Sequence, residues 1–595
     1  MPLNTCTRIT IDGKTFPHFR ELQIRQRIDG HHTFEIHIDQ GWLSSLWPEI
    51  SGNGQDLLGK DVFVEVSAAA MPQTGTLHFK GLITAIHTGK KGDATQGFCV
   101  LKGTDPGIVL DGAPQLRVYE AQTLSHIARH CLKAAAAHID LQIAPGNPAP
   151  HAYLVQYRES NFAFLQRLAA RFGEWYFYNG QQMIFGAYAP AKISLSHPGE
   201  LVHFDIGLQL TSGDRRFTAY DYEAGAAISS TSPRPTGISG TGPLTARARQ
   251  ASRQLYHEEG FDKATSQQQA GIALQAQLHE RRQLAAAVQL TGRSEHPGIR
   301  VGDIIEAAAS LASPDLEGTF TVTRIDHHCQ GDGAYHNQFT CTPTDCCIPS
   351  GHSGIAPLCE AQSAIVTDNH DPEGMGRIRI RYHWQQQGSS PWIRLITPHG
   401  GAGKGFHFIP EKGEEVWVDF EGGNPELPFA VGTAYNGKDN TKFSDAGNNL
   451  KIIRTRSGHT IQLDDSNGAE QLQIHDRNGN MILLDTHHGN ITIASPGQLL
   501  LKANHISIEA ADQLDMHAGG NLTQGAGENI SLYAGNHHTV LATHITQQAQ
   551  DNFTRSSRKL EEQAESILLN SIRQDLTLMS AGTIAINSVE KIKLS

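Results

Sequence analysis

The chain has 595 residues, of which 39% are hydrophobic and 18% charged, and its formal net charge is −12. This length allows about four domains of globular composition. The acidic balance argues against nucleic acid as a partner, and the longest apolar runs are too short for a transmembrane helix. The N-terminus lacks the basic and apolar regions of a secretory signal. Eight irregularly spaced cysteines predict free thiols in a reducing cytosol.

Residues 1–345 mix strand and helix patterns. Alternating apolar residues predict strands through residues 1–115 and again from about residue 288 to 328. Between them, helical spacing predicts one helix over Leu124–Ala135 and a second that begins after Ser160 and ends at Gly173. A long Gln- and Ala-rich helix is predicted over residues 263–287. The region is therefore predicted as an α+β domain with two barrel-like β units. The residues expected to face inward from the second helix are Phe162, Leu165, Leu168, Ala169 and Phe172.

Residues 361–437 follow a linker at 346–360 and have a different texture. The segment 377–384 alternates between a face of Ile378, Ile380, Tyr382 and Trp384 and a face of Arg377, Arg379, Arg381 and His383. Four more short strands are predicted over residues 392–397, 406–410, 414–420 and 428–435. Five short strands with Gly-rich turns predict a small OB-type barrel. The Arg stripe is compatible with an oligonucleotide-binding face, but an exposed face or a contact between copies is favoured.

Residues 438–490 form a predicted neck of strands joined by turns at Asn467-Gly468 and Asn478-Gly479. From residue 491 to 595, apolar residues recur every eight positions, with slips of seven. Eight is a multiple of the strand period of two, so the stripe stays on one face of a strand, whereas it would drift around a helix. The predicted core positions are Ile491, Leu499, Ile506, Leu514, Leu522, Ile530, Phe553, Leu560, Leu568, Leu576, Ile584 and Ile592.

One octad holds only a strand and a corner, which is too short for a coil of a single-chain solenoid. Corners are expected at small residues such as Gly519, Gly527, Gly535 and Gly582. Three chains winding together would close the strands into a triangular β-prism without free edges. The sequence therefore predicts a trimeric, triple-stranded β-helix. A helical interruption within residues 545–575, a right-handed coiled coil and a disordered tail are the alternatives.

Three groups of residues invite a chemical role. A run of metal-ligand residue types lies near residues 327–359, but its spacing is irregular and ordinary strand and loop residues are favoured over zinc ligands. The Gly-rich segment 400–405 lacks the full phosphate-loop pattern and is expected to be a barrel loop. His538 stands on an octad position, where three copies could bind a metal or anion on an axis, although a packed or outward His is favoured. The run of metal-ligand residue types near residues 327–359 comprises His327, His328, Cys329, Cys341, Cys346, Cys347, His352 and Cys359.

The sequence carries no recognised catalytic motif, so no catalytic residue, resident metal or cofactor is predicted. A β-helical polysaccharide-acting enzyme and an OB-fold module that binds a ligand or nucleic acid remain the alternative functions.

Three strings support a family resemblance. They are VQYRESNFAFLQRLAARFGEWYFY from residue 155, DPEGMGRIRIRYHW from residue 371 and RTRSGHTIQLDDSNG from residue 454. Together with the order of α+β region, small barrel and β-prism, they resemble the VgrG spike proteins of type VI secretion. They also resemble the hub-and-spike proteins of contractile phage tails and extracellular injection systems. The resemblance implies a non-enzymatic spike with a phage tail hub-like α+β domain at residues 1–345.

The resemblance also implies partners. A trimeric hub would cap a hexameric, Hcp-like inner tube, with baseplate proteins around it and effectors as cargo, and the needle would puncture a target membrane. A PAAR-like tip protein is expected on Val589, Ile592, Leu594 and Ser595, because the chain ends without a sharpening extension. Assembly is expected in the cytoplasm, with delivery outside the cell on contraction.

Overall fold

The computed structural model describes residues 4–16, 18–39, 41–42, 55–68, 75–90, 92, 97–196, 199–233, 242–307, 318–346 and 357–593. Contacts divide the chain into two compact units. The first comprises Met1–Arg454, Ile461–Leu472 and Asp485–His488, and the second comprises Thr455–Thr460, Gln473–Leu484 and Gly489–Ser595. Within the described ranges, every helix is too short or too polar to span a bilayer.

The first unit begins with seven strands that alternate between buried and solvent-facing residues. In β4, for example, Phe34, Ile36 and Ile38 are buried while the residues between them are partly exposed. The strand β6 carries a bulge between Ile83 and Ala85, in a segment whose sequence is compatible with either a hairpin or a bulged strand. The seven strands are β1 (Thr5–Ile11), β2 (Lys14–Phe16), β3 (Glu21–Arg27), β4 (Thr33–Asp39), β5 (Asp61–Ala68), β6 (Thr76–Gly89) and β7 (Phe98–Thr104).

Two amphipathic helices pack on this sheet, and both confirm the sequence prediction. The helix α1 (Leu124–Leu132) begins at Thr123, whose side chain accepts a hydrogen bond from the His126 backbone. The helix α2 (Asn161–Phe172) is capped by Ser160 and ends at Gly173, which has a φ of 74°. The strands around them are β8 (Gln115–Gln122), β9 (Asp140–Ala144), β10 (His151–Glu159), β11 (Tyr176–Tyr178) and β12 (Gln182–Gly186).

The inward face of α2 differs slightly from the prediction. Phe164 and Ala170 are buried together with Leu165, Leu168 and Ala169. Phe162 and Phe172 are only partly buried; Phe162 stacks on His31, and the Phe172 ring packs against His151 at an angle of 41°.

The second half of the N-terminal region holds more strands and two helices. Its long helix, α4 (Gln269–Ala287), starts six residues later than predicted. The helix α3 (Pro243–Leu255) was not predicted, because its buried residues are mostly polar or small and leave no apolar stripe. The strands are β13 (Lys192–Leu195), β14 (Leu201–Leu208), β15 (Arg215–Asp221), β16 (Ala226–Thr231), β17 (Gly260–Lys263), β18 (Val288–Ser294), β19 (Ile304–Ala307), β20 (Gly318–Gln330) and β21 (Tyr335–Pro343).

The two groups of strands share one sheet instead of standing apart as two units. Thirteen strands join in the order β14-β18-β21-β20-β3-β4-β7-β6-β5-β1-β2, with β13 and β19 alongside. The link is an antiparallel pairing of β20 with β3, from Arg324 opposite Arg27 to Gln330 opposite Glu21. This pairing is long-range in sequence, so the local patterns could not reveal it.

The strands of the barrel region differ from the prediction, because one strand was not predicted and two predicted strands do not form. Its four-stranded sheet has the order β23-β22-β26-β27 and includes β22, which was not predicted. Residues 392–397 contribute only isolated bridges, and residues 406–410 form no strand, so those two predictions were wrong. The strands are β22 (Gln362–Asp368), β23 (Arg379–Tyr382), β24 (Gly400–Gly401), β25 (Lys404–Gly405), β26 (Glu415–Phe420) and β27 (Pro428–Thr433).

The neck folds as predicted into consecutive strands that pair in sequence order, β28-β29-β30-β31-β32. Gly468 and Gly479 have φ of 78° and 95°, which supports the prediction of Asn-Gly turns. The strands are β28 (Leu450–Arg454), β29 (Thr460–Asp464), β30 (Gln471–His475), β31 (Met481–Asp485) and β32 (Asn490–Ala494).

Candidate functional site

A buried carboxylate joins α2 to the barrel. Arg167 and Arg171 lie one turn apart on α2, and both bind Glu426, which lies in the loop between β26 and β27. The Glu426 side chain is only 4% exposed. Burial alone would raise the pKa of Glu426, but the charges of Arg171 and Arg167 outweigh it and lower that pKa. Arg167 also binds Glu159 at 2.7 Å, which holds it in place.

Two arginines of the barrel stripe make a second set of junction contacts. Arg377 binds Asp371 at 2.9 Å and Glu223, in the turn after β15, at 2.8 Å. The hydrogen bonds from Arg377 hold the pKa of Asp371 at about 2. Arg379 pairs with Glu120 of β8. Arg377 and Arg379 both attach the barrel to the N-terminal region. These two side chains therefore belong neither to an exposed face nor to an oligonucleotide-binding face.

The junction also has an apolar core. Tyr153, Val155 and Tyr157 of β10 pack in one cluster with the buried face of the barrel, including Ile378 and Ile380. The alternation predicted for residues 377–384 thus places its apolar face correctly. A shared core and paired charges fix the barrel on the N-terminal region.

A second buried polar centre lies within the N-terminal region. His31 contacts Asp105 at 3.2 Å and Asp111 at 3.0 Å, and its ring stacks on Phe162 with centroids 3.9 Å apart. Burial opposes protonation of His31, but the two carboxylates overcome it and raise the His31 pKa to about 9. Asp105 also accepts hydrogen bonds from the backbone N–H groups of His32 and Gly107. No local pattern predicted this centre, because its members are far apart in the chain.

The described members of the run of cysteines and histidines do not converge on a common point. His327 is buried and contacts the Tyr335 hydroxyl at 2.7 Å, whereas His328 stacks on His336 of the neighbouring strand. Cys347 and His352 lie outside the described residues. Elsewhere in the described chain, no three His, Cys, Asp or Glu residues group as metal ligands would. The seven described cysteines are free: Cys6, Cys99, Cys131, Cys329, Cys341, Cys346 and Cys359.

The Gly-rich segment 400–405 forms a short exposed hairpin in which Gly400 pairs with Gly405 and Gly401 pairs with Lys404. Gly405 has a φ of 123°, and a Cβ there would lie 2.4 Å from the His399 carbonyl oxygen. The glycine therefore serves the tight turn.

Residues 495–593, which we call the shaft segment, bend once per octad. Bends fall at 496–497, 504, 511–512, 519–520, 527–528, 535–536, 543, 550–551, 558, 565, 572–574, 581–582 and 589–590. Gly519, Gly527, Gly535 and Gly582 all lie in bends, as predicted. Residues 545–575 contain no helix, so the alternative of a helical interruption was wrong. The single chain also has no paired strand in this segment.

The apolar stripe keeps a constant position relative to the bends. From Leu499 onward, each octad residue except Leu568 lies two positions after a bend ends, and ten of the twelve predicted core residues are 49–63% exposed. Ile491 and Leu568 differ, at 71% and 87%. Ile567, which is 52% exposed and lies two positions after the bend at 565, takes the place that the period assigned to Leu568.

The most exposed large apolar side chains of the segment lie outside this stripe, such as Tyr533 at 97% and Leu541 at 95%. We call the side of the stripe the inner side and the side of Tyr533 and Leu541 the outer side. His538 follows the bend at 535–536 by two positions and so lies on the inner stripe. Val589 is fully exposed, Ile592 is on the inner stripe, and Leu594 and Ser595 lie outside the described residues.

Two protein-family models match this chain. The phage tail baseplate hub (GPD) matches residues 43–333, and the type VI secretion system/phage-baseplate injector OB domain matches residues 362–435. The second range agrees closely with the barrel boundaries of 361–437 that were predicted from sequence.

Relatives and solved structures agree with these domains. Type VI secretion system spike protein VgrG4b of Pseudomonas aeruginosa is 26% identical over 374 residues, which is 54% of this chain and 45% of that protein. Actin cross-linking toxin VgrG1 of Vibrio cholerae is 23% identical over 401 residues, or 60% of this chain and 36% of the toxin. The alignment thus spans about half or less of each relative.

A chain of the lidded Francisella PdpA–VgrG complex shares the fold, with a TM-score of 0.55 at 8% identity, over 83% of this chain and 80% of that chain. The two domains and the relatives confirm the resemblance predicted from the sequence strings. This chain therefore carries a phage tail baseplate hub domain followed by a type VI secretion system/phage-baseplate injector OB domain, and it is similar to the VgrG spike proteins.

Proposed function

We propose that this chain is the central spike of a contractile injection machine and that its role is mechanical, not catalytic. The observation that carries the proposal is the shaft segment, in which one apolar stripe keeps a constant phase to a bend in every octad after a hub domain and an OB domain. Apolar residues that are half-exposed along an entire segment form a surface that is expected to be buried against a partner.

Further copies of the same chain are the proposed cover, giving a homotrimer with a β-prism shaft. All octads but that of His538 place an apolar residue at the same position relative to a bend. Identical chains at the same axial level would therefore bring equivalent apolar residues together around a threefold axis. Burial of each Ile or Leu contributes about 1.5–3 kcal/mol, and a trimer gains it three times per octad. Strand pairing between chains would satisfy the backbone groups that a lone chain leaves to water.

The trimer is tested by sedimentation equilibrium of the full-length chain, for which we expect three times the 64.8 kDa chain mass. Leu576→Asp would place three carboxylates in a dry core and should dissociate the trimer or fray the shaft. Tyr533→Asp on the outer side is the matched control. A folded wild-type monomer would contradict the proposal.

The remaining partners belong to the same proposal. The hub would cap an Hcp-like inner tube and contact baseplate proteins, and the shaft would carry effectors and puncture a target membrane. A PAAR-like tip protein is proposed on the exposed apolar residues Val589 and Ile592, together with Leu594 and Ser595. The Francisella complex, in which VgrG is named with PdpA, supports partnership with another protein in general terms.

Localisation can test the mechanical role. We propose assembly in the cytoplasm and appearance outside the cell only when the sheath contracts. The chain should then reach the culture medium in cells with an intact contractile sheath and stay inside cells that lack the sheath protein. Equal export from both would refute contraction-driven delivery. Val589→Asp changes a fully exposed residue outside the inner stripe, so it should abolish pull-down of a tip protein while leaving the trimer intact.

A further inference from the structure

The shaft segment contains a short polar ladder on an inner side that is apolar at most of its positions. Positions that follow a bend by four residues form a second inner row, which is apolar at Leu501, Leu532 and Leu578. The same row is occupied by Gln547, Arg555 and Glu562 in three consecutive octads. A charged side chain is not expected in a row that a partner chain would bury.

These polar side chains contact one another across bends. Arg555 Nη1 lies 2.6 Å from Glu562 Oε1, and Arg555 Nη2 donates to Gln547 Oε1 at 3.0 Å. Bends at 558 and at 550–551 separate the partners. The three side chains therefore reach across successive bends and contact one another on one side of the chain.

Exposure separates the ladder from an ordinary surface pair. The Arg555 and Glu562 side chains are 50% and 47% exposed. Lys559 and Glu561, a pair only a few residues away, are 76% and 74% exposed. The Arg555 guanidinium also lies over the Phe553 ring, 5.0 Å from its centroid, and Phe553 belongs to the inner stripe.

We propose that Arg555 and Glu562 form a buried ring of paired charges inside a trimeric shaft, and that this ring sets the axial register of the three chains. The inference rests on the proposed trimer, and the covering partners are two further copies of this chain. Three Arg and three Glu make a neutral set, so identical chains at the same level supply their own charge complement.

Where the octads are regularly spaced, the apolar residues do not set register by themselves, because a slip of one octad puts Leu or Ile against Leu or Ile again. The polar ladder removes this degeneracy, since a slipped chain would bury Arg555 or Glu562 against an apolar row. A polar residue in an apolar coiled-coil seam specifies register in the same way and lowers stability. Near the ladder, successive inner residues are seven, eight, seven, seven and nine apart from His538 to Leu576, so the chains must also align these irregular steps.

The test compares full-length variants by sedimentation and by protease resistance of the shaft. Glu562→Gln leaves three buried Arg unpaired and should shorten the protease half-life of the shaft by roughly tenfold or more. The charge swap Arg555→Glu with Glu562→Arg should restore much of that resistance. Lys559→Gln with Glu561→Gln, on the outer side, should leave it unchanged. If Glu562→Gln matches the wild type while the wild type is a trimer, the buried ring is refuted.

Register is measured separately with a spin label at Ser588→Cys in a Cys6→Ser background, since Cys6 is an exposed cysteine. Three chains in register should give one label-to-label distance. Replacing both charges with leucine should keep the trimer, because apolar residues can substitute for a buried pair, but should add longer distances from slipped chains. A single unchanged distance in that variant would overturn the register role. A monomeric wild type would instead refute the proposed trimer, so the two failures are distinguishable.

Discussion

Glu426→Gln is the sharpest test of how the barrel is fixed to the N-terminal region. The substitution keeps the size of the side chain and removes the charge that pairs with Arg167 and Arg171. Breaking a fully buried pair costs about 3–5 kcal/mol. Arg167 retains Glu159, and Arg171 is 25% exposed and can reach water, so we expect about 2–3 kcal/mol here.

The assay is thermal unfolding of the full-length chain, followed by tryptophan fluorescence and by hydrogen exchange. Because the Tm shift per kcal/mol falls with size, the loss corresponds to roughly 3–4 °C in Tm for a region of about 345 residues. Faster exchange should be confined to α2 and the loop at 421–428. The matched control is Glu421→Gln, whose partner Lys263 is 3.9 Å away and 54% exposed, and which should change stability by less than about 1 kcal/mol.

The pH dependence gives an independent check on Glu426. Its pKa is lower in the folded chain than the ordinary 4.5, so its contribution is present above that value and lost as the pH falls through the folded pKa. Wild type and Glu426→Gln should therefore differ most near neutral pH and converge in acid. A difference in Tm that stays constant down to strong acid, or no difference at neutral pH, would refute the pairing.

Three further predictions follow from single residues. The His31 pKa is raised from 6.5 to about 9, so the contribution of His31 to hub stability is full below pH 6.5 and is lost as the pH rises through 9. His31→Gln should remove this pH-dependent loss of stability, which is measured as the melting temperature at a series of pH values. Ile567→Asp should destabilise the shaft far more than Leu568→Asp in protease assays, and the reverse order would refute the inner register. Gly186→Ala should unfold part of the hub in hydrogen exchange, because its φ is 106° and a Cβ would lie 2.2 Å from the Ala144 backbone.

Local patterns predicted those parts of the fold whose cause is local. The cap at Ser160, the stop at Gly173 and the turns at Gly468 and Gly479 each depend on a few neighbouring residues, and all were predicted correctly. The alternation around Ile380 likewise identified the core face of a strand. The helix α3 was missed because its buried face includes Arg249, whose partner Glu280 lies on another helix.

The sequence by itself determined the domain order, the octad period and the corners of the shaft segment, because a repeat and its glycines are properties of neighbouring residues. Only the tertiary structure decided that β20 pairs with β3, that Arg377 and Arg379 attach the barrel, and that Ile567 takes the inner position expected for Leu568. Each of these outcomes depends on a contact or a bend of the folded backbone, which the local sequence pattern does not contain. A one-residue shift turns a side chain from the inner to the outer side, and only the position of the bend at 565 fixes which residue faces inward.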